Sequence, residues 1–253
     1  MKVLSVRLFR AAMLFGIAGL IAKLFATGQM VKYMSPSLDA LTAVTGVVLA
    51  VMGAMELLQS RDPDSTHAAG HDHGHESDGM EQAFTYLLVL APLVLGLVVT
   101  PRALGSSALS GDHMTSLLLA FPPASMSAAP GGPPISSRPI TDVPDLLAYL
   151  RRAGEAGVGQ RVRATGLVVR SDMLGGNEFA LLRYSLVHCV ADAVPVGLLV
   201  VAPGDPGVTS DAWVEVEGVL AVQHREGDAL VSIVANRVAR AEEPVNPYLA
   251  PIY

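Results

Sequence analysis

The sequence is poor in cysteine and lysine, and each shortage excludes a class of protein. Its 253 residues include a single cysteine, Cys189, so no disulfide can form within the chain. Residues 140–253 contain no lysine and carry 9 arginines against 14 acidic residues. Because a nucleic-acid-binding surface needs a basic face, this acidic balance argues against nucleic acid as a partner.

Common catalytic motifs are missing as well. The sequence contains no Gly-x-Ser-x-Gly, no glycine-rich phosphate loop ending in Lys-Ser/Thr, no His-Glu-x-x-His and no Cys-x-x-Cys. We therefore do not expect an enzyme. A nucleophilic pair formed by His188 and Cys189 stays open as an alternative, although it would still need an orienting third group and an oxyanion site.

Apolar residues, by contrast, are in excess, at 51% of the chain with a mean hydropathy of +0.45. They gather in three blocks, residues 8–26, 41–58 and 83–100, each about long enough to cross a hydrocarbon core about 30 Å thick. Lys23 lies near the end of the first block, where its side chain can extend to the lipid headgroups. Residues 1–105 are thus predicted to form three transmembrane helices of a multi-pass cell-membrane protein in contact with the lipid bilayer.

The first block has a second interpretation, and the flanking charges indicate an orientation. A cleaved signal peptide is the alternative, but residues 24–26 (Leu-Phe-Ala) make a poor cleavage site. Four Lys or Arg residues lie on the side of the N-terminus and three on the other side. This bias favours a cytoplasmic N-terminus and, after three crossings, an extracytoplasmic C-terminal domain.

The C-terminal half has the pattern of a small β domain. Residues 106–139 are rich in Pro, Gly and Ser and are typical of a linker. In residues 140–253 a short leading helix precedes five predicted strands, separated by turn signals and bent at Gly166 and Gly218. The predicted strands are 162–168, 179–188, 196–202, 213–218 and 230–240. Five strands predict a small OB-like β-barrel, with a small sandwich as the alternative.

Two groups of residues have the chemistry of metal ligands, and the first is a His-rich loop at residues 61–80. Four of the seven histidines occur there within nine residues: His67, His71, His73 and His75. Imidazoles and nearby carboxylates are ligands that Zn²⁺ accepts, and a flexible glycine-containing loop can bring them to one ion. The alternative is a solvated polar loop with weak metal affinity.

The second group is His188, Cys189 and Asp192. In a regular strand, neighbouring side chains point to opposite faces, so these residues could share an ion only in a bulge or a turn. A helical turn would pair His188 with Asp192 at i,i+4 and Cys189 with Asp192 at i,i+3. Imidazole, thiolate, carboxylate and water would then make an open zinc site. A buried cysteine beside a hydrogen-bonded histidine is the alternative.

Several short motifs follow one another in an order that resembles a known family. They include Arg183-Tyr184, Cys189-Val-Ala-Asp192-Ala-Val-Pro195, Trp213-Val-Glu-Val-Glu-Gly218 and Pro244-Val-Asn-Pro-Tyr-Leu249, together with Tyr33 to Pro36, the His-rich loop and Pro92. In this order they resemble the YcgQ-like proteins, a domain of unknown function described as the smaller subunit of a two-component membrane permease. That family has two adjacent cysteines before x-Ala-Asp, whereas His188 stands in place of the first one here.

The resemblance implies a partner, namely a larger polytopic permease subunit. Three spans alone seldom enclose a transport pathway, so an accessory subunit is expected. We predict that it binds a divalent metal, zinc first, through the His-rich loop and the His188/Cys189/Asp192 cluster. The alternative is a non-metal scaffold or adaptor whose β domain binds a partner protein.

Overall fold

The helices and the strands lie in two separate units. The computed structural model describes residues 2–59, 79–109, 140, 146, 149, 157–225 and 228–250, which divide into Met1–Arg102 and Ala103–Tyr253. The first unit contains α1 (Lys2–Ala26), α2 (Asp39–Gln59) and α3 (Gly79–Val98). Two helical segments among the described residues, Arg7–Ala26 and Pro36–Leu58, are long and apolar enough to cross a membrane.

Within the first unit, α1 packs against both of the other helices through glycines. A Cβ atom added to Gly53 on α2 would lie 3.1 Å from the Phe15 ring, and one added to Gly96 on α3 would lie 3.1 Å from Leu20 Cδ2. Small residues let helix backbones approach closely, which is the usual packing of membrane helices. Because α1 takes this face of α2, much of the rest of α2 is left exposed.

Lys23, which was expected to reach the lipid headgroups, has hydrogen-bond partners within the helical unit. Its ammonium group donates hydrogen bonds to the backbone carbonyl oxygens of Gly96, at 3.5 Å, and of Leu97. These carbonyls belong to the last turn of α3, whose acceptors have no partner within the helix. Lys23 therefore ties the end of α1 to the end of α3.

The second unit is a six-stranded mixed sheet. Its strands are β1 (Arg161–Val169), β2 (Glu178–Ser185), β3 (Val194–Val201), β4 (Trp213–Arg225), β5 (Asp228–Arg240) and β6 (Tyr248–Leu249). The order is β1-β4-β5-β3-β2-β6, with an additional antiparallel pairing of β1 with β2. The β3–β5 and β2–β6 pairs are parallel and the others are antiparallel.

Two apolar clusters hold this sheet. The main core contains fully buried side chains from five strands, namely Val168, Phe179, Val200, Val214 and Ile233. A second cluster lies on another face of β1 and β2 and contains Leu167, Val169, Ala180, Leu182, Tyr184, Leu186 and Tyr248. Since β2 and the second half of β1, residues 166–169, have a buried residue at nearly every position, this part of the sheet is covered on both faces.

Compared with the sequence prediction, each of the five expected strands is present, and three details differ. The strand predicted over 179–188 ends at Ser185, because the chain turns there, and the strand predicted over 213–218 continues to Arg225. A sixth strand, β6, was not predicted. Of the leading helix, Leu146 and Tyr149 are described; both are helical and buried in the main core.

The predicted His-rich loop and linker lie mostly outside the described residues. His67, His71, His73 and His75 all fall in residues 60–78, which are not described. The first linker residues, 106–109, are described and belong to the second unit, where Leu109 packs against the second cluster. The boundary of the β unit therefore precedes the predicted linker.

Candidate functional site

The turn that follows β2 brings together the three predicted ligands His188, Cys189 and Asp192. The chain leaves the sheet after Ser185 and forms a 3-10 turn over Val190–Asp192. The Asp192 carboxylate accepts hydrogen bonds from the backbone amides of Val187 at 3.0 Å, His188 at 2.9 Å and Cys189 at 3.2 Å. His188 Nδ1 lies 3.2 Å from Asp192 Oδ2, so the predicted i,i+4 contact is confirmed.

The charge of Asp192 is stabilised by these donors. Partial burial by itself would raise its pKa, but hydrogen bonds from the amides of Cys189, His188 and Val187 and from the His188 ring lower it below the ordinary value of 3.8. Because the folded turn favours the ionised form of Asp192, the ionised carboxylate stabilises the folded turn above pH 3.8. That contribution is lost as the pH falls through the lowered pKa.

Cys189 completes the turn as its N-cap. The Asp192 amide donates to the Cys189 backbone carbonyl at 3.0 Å, while the Asp192 carboxylate accepts from the amide of Cys189 at 3.2 Å. The thiol is half-buried, whereas the His188 side chain is 69% exposed. The turn is therefore held by the Asp192 carboxylate and by the backbone of Cys189.

Zinc binding by these residues stays a prediction. Within the described part of the chain, no group of three or more His, Cys, Asp and Glu side chains is placed to hold a metal ion. His188 and Asp192 are in contact and Cys189 caps the same turn, so the residues are neighbours without forming an assembled ligand set. The four histidines of the His-rich loop are not among the described residues.

We expect the Asp192→Asn substitution to loosen this turn. An amide has one acceptor oxygen where the carboxylate has two, and its NH₂ group would face donor groups. Hydrogen exchange at the amides of residues 187–189 should accelerate about tenfold. The loss of protection that protonation of Asp192 causes in the wild type below pH 3.8 should be absent from the variant. The matched control is Asp172→Asn at an exposed position between β1 and β2. Unchanged exchange at 187–189 would show that the carboxylate does not hold the turn.

A second constellation surrounds Arg183 on β2. Its guanidinium donates to the carbonyl oxygens of Pro247 at 2.9 Å, Asn246 at 3.0 Å and Thr165 at 3.3 Å. Its Cζ atom also lies 5.3 Å from the centre of the Trp213 ring, a cation–π arrangement. Arg183 therefore fastens the C-terminal segment to β1 and β2.

The segment that follows α3, residues 103–109, is also held on the β unit. Three side chains bind its main chain: the Tyr248 hydroxyl accepts from the Leu104 amide at 3.1 Å, the Tyr184 hydroxyl donates to the Gly105 carbonyl at 2.9 Å, and Asp211 Oδ1 accepts from the Ser106 amide at 2.6 Å. Burial, and then the negative charge of Asp211, raises the pKa of Tyr184 to about 12. The hydroxyl therefore stays protonated and remains a donor at neutral pH.

The sequence motifs that contain Arg183, Tyr184, Trp213 and Tyr248 did not predict a role for these residues. The structure brings three separate sequence motifs to one corner of the β unit: Arg183-Tyr184, Trp213 and the segment Pro244–Leu249. Most of their partners are backbone carbonyls and amides, which have no signature in the sequence. An arginine inside an otherwise apolar strand was the signal that could have pointed to this site.

Comparison with known proteins finds two matching family models and one curated relative. The DUF1980 N-terminal domain matches residues 9–115, and the DUF1980 C-terminal domain matches residues 145–251. The UPF0703 protein YcgQ of Bacillus subtilis (strain 168) is 24% identical over 255 residues, which covers 86% of this chain and 89% of that protein. The gap between the two models overlaps the predicted linker.

Proposed function

Since the chain belongs to the YcgQ-like family, with its two DUF1980 domains in order, we propose that it is an accessory subunit of a membrane permease complex. In this role it is an adaptor that binds a larger multi-span protein. The adaptor role is favoured over metal carriage because the Asp192 carboxylate accepts three backbone hydrogen bonds that hold its own turn.

The proposed topology has three spans. The first two proposed spans are the apolar segments Arg7–Ala26 and Pro36–Leu58. We propose that α3, which continues through Pro92 along the third apolar block, also crosses the bilayer. The excess of Lys and Arg then gives a cytoplasmic N-terminus and an extracytoplasmic β unit.

The β unit is proposed to be a closed OB-like barrel. The strand pairings support closure, because β1 pairs with β4 at one end of the order and with β2 near the other. The parallel pairing of β3 with β5 supports the same topology, since a Greek-key connection is needed to bring these strands side by side. OB-like barrels serve as binding modules, which suits an adaptor.

The observation that carries the adaptor proposal is an exposed apolar stripe along α2. We call it the α2 stripe; it consists of Leu41, Val44, Val48, Val51, Met55 and Leu58, and it lies within a wider exposed apolar surface that includes Val47 and Met52, which are 64% and 50% exposed. Each side chain is between 49% and 65% exposed, and the spacings alternate between three and four residues. That period is the one with which a helix packs against another helix. A transmembrane helix of the partner is therefore the proposed occupant, with lipid as the competing one.

This proposal predicts a companion whose retention depends on the α2 stripe. Full-length tagged protein, extracted from its native membrane in mild detergent, should retain a multi-span protein at a constant ratio. Because bulky side chains prevent close helix contact, the Val48→Trp/Val51→Trp variant should lower the retained amount about tenfold, which is about 1.4 kcal/mol of affinity.

The matched control is Leu95→Trp on α3, a side chain that is 59% exposed. This control should retain the companion at the wild-type level. Equal retention by the two variants, or recovery of a second copy of this chain in place of a multi-span protein, would contradict the proposal.

A further inference from the structure

The second apolar cluster of the β unit is covered by the chain itself. Residues 103–109, which we call the strap, lie over the face that β1, β2 and β6 present, and Ala103, Leu104 and Leu109 pack against it. The strap is irregular apart from the 3-10 turn Ser106–Ala108, and its side chains are half-buried or exposed.

The polar contacts of the strap involve its main chain. Tyr248 on β6, Tyr184 on β2 and Asp211 in the loop before β4 each bind a backbone amide or carbonyl of residues 104–106. Binding through main-chain groups is the mode by which domains capture extended peptides, while side-chain pockets add selectivity. Leu104 and Leu109 supply the apolar contacts in this arrangement.

Asp211 is held in position for this contact by the backbone. It is the one non-glycine residue with positive φ (67°) in the described part of the chain, and its amide donates to the Val168 carbonyl at 3.0 Å. Left-handed backbone at a non-glycine residue costs free energy and is concentrated at sites with a role. Here it places Oδ1 2.6 Å from the Ser106 amide.

We propose that residues 103–109 are an exchangeable strap on a peptide-binding face of the β unit. The ligand of this face is an extended segment with an apolar residue at the position of Leu104. In the structure the chain's own strap occupies the face, and an extended apolar segment of another polypeptide takes its place when the strap leaves. Because the strap is tethered, its high effective concentration keeps the face closed to weaker peptides.

A peptide-binding experiment on the full-length protein in detergent tests the strap directly. The probe is a fluorescein-labelled peptide with the sequence of residues 101–110. The Leu104→Asp/Leu109→Asp variant places charge on the strap and leaves the face intact, so it should bind the probe at least about tenfold more tightly than the wild type. Adding Tyr184→Phe and Tyr248→Phe should reverse this gain.

A second tyrosine substitution provides the matched control. The Tyr149 hydroxyl is buried in the main core with no hydrogen-bond partner among the described residues. Adding Tyr149→Phe to the strap variant should therefore leave probe binding unchanged. Equal binding to the wild type and the strap variant, absence of binding to both, or insensitivity to the Tyr184 and Tyr248 substitutions would overturn the proposal.

Hydrogen exchange gives a test that does not depend on the strap variant folding. In the Tyr184→Phe/Tyr248→Phe protein, the amides of residues 104–106 should exchange about tenfold faster than in the wild type, while β3 to β5 are unchanged. Unchanged exchange at residues 104–106 would overturn the proposal independently. The probe is a peptide of this chain, so these results do not depend on whether a permease partner exists.

Discussion

The Gly218→Ala substitution is expected to lower the free energy of unfolding of the β unit by about 3 kcal/mol or more. Gly218 lies on β4 at the point where its register against β5 shifts. A Cβ atom there would be 2.2 Å from the Val234 carbonyl oxygen and 2.9 Å from Ala235 Cα. Both are backbone atoms, so a change of rotamer cannot relieve the clash and the two strands must separate.

The measurement is urea unfolding of the full-length protein in detergent, followed by the fluorescence of Trp213, which is the single tryptophan. The matched control is Gly204→Ala, because a Cβ atom at that position has no neighbour within 4 Å. The control should unfold within about 0.5 kcal/mol of the wild type. A Gly218→Ala midpoint equal to that of the control would show that β4 and β5 do not approach as described.

The Arg183→Ala substitution is the second change with a large expected effect, a loss of about 3 kcal/mol. The guanidinium binds three backbone carbonyl oxygens, and hydrogen bonds from charged donors are worth more than neutral ones. Its removal leaves these acceptors without the donor and frees the C-terminal segment. The Leu186 amide, which donates to the Leu249 carbonyl, should then exchange faster.

Two other arginine substitutions separate geometry from charge. Arg183→Lys keeps the positive charge but loses the planar fork, so it should recover less than half of the lost stability. Arg237→Ala removes a side chain that is 64% exposed and lies 3.6 Å from Glu217, so it should change the unfolding free energy by less than about 1 kcal/mol. Full stability of Arg183→Lys would mean that charge alone holds the corner.

Several of the sequence motifs meet at one corner of the β unit, which is formed by Arg183, Tyr184, Trp213 and Tyr248. Arg183 and Tyr184 fasten the C-terminal segment and the strap to β2, and Tyr248 on β6 joins the two segments to each other. The polar contacts of both segments are mainly through their backbones, and their apolar side chains pack against the sheet. The strap at the start of the β unit and the C-terminal segment at its end are thus both held by side chains of this corner.

In the turn after β2, residue spacing predicted one side-chain contact of the candidate site and did not predict its backbone contacts. The spacing of His188 and Asp192 predicted their contact if the chain coiled, and the contact is confirmed at 3.2 Å. The spacing could not predict that three backbone amides would also converge on the Asp192 carboxylate. Main-chain donors are present at every residue except proline, so only the fold determines which of them are brought together.

The sequence by itself determined what short-range physics controls. Runs of apolar residues specify helices of a given length, alternation specifies strands, and i,i+4 spacing specifies a local pair, because each depends on neighbours within a few residues. Only the tertiary structure decided the parallel pairing of β6 with β2, the partners of Arg183 and the cover over the second cluster. Each joins segments tens of residues apart, and most use backbone atoms that are alike in every residue.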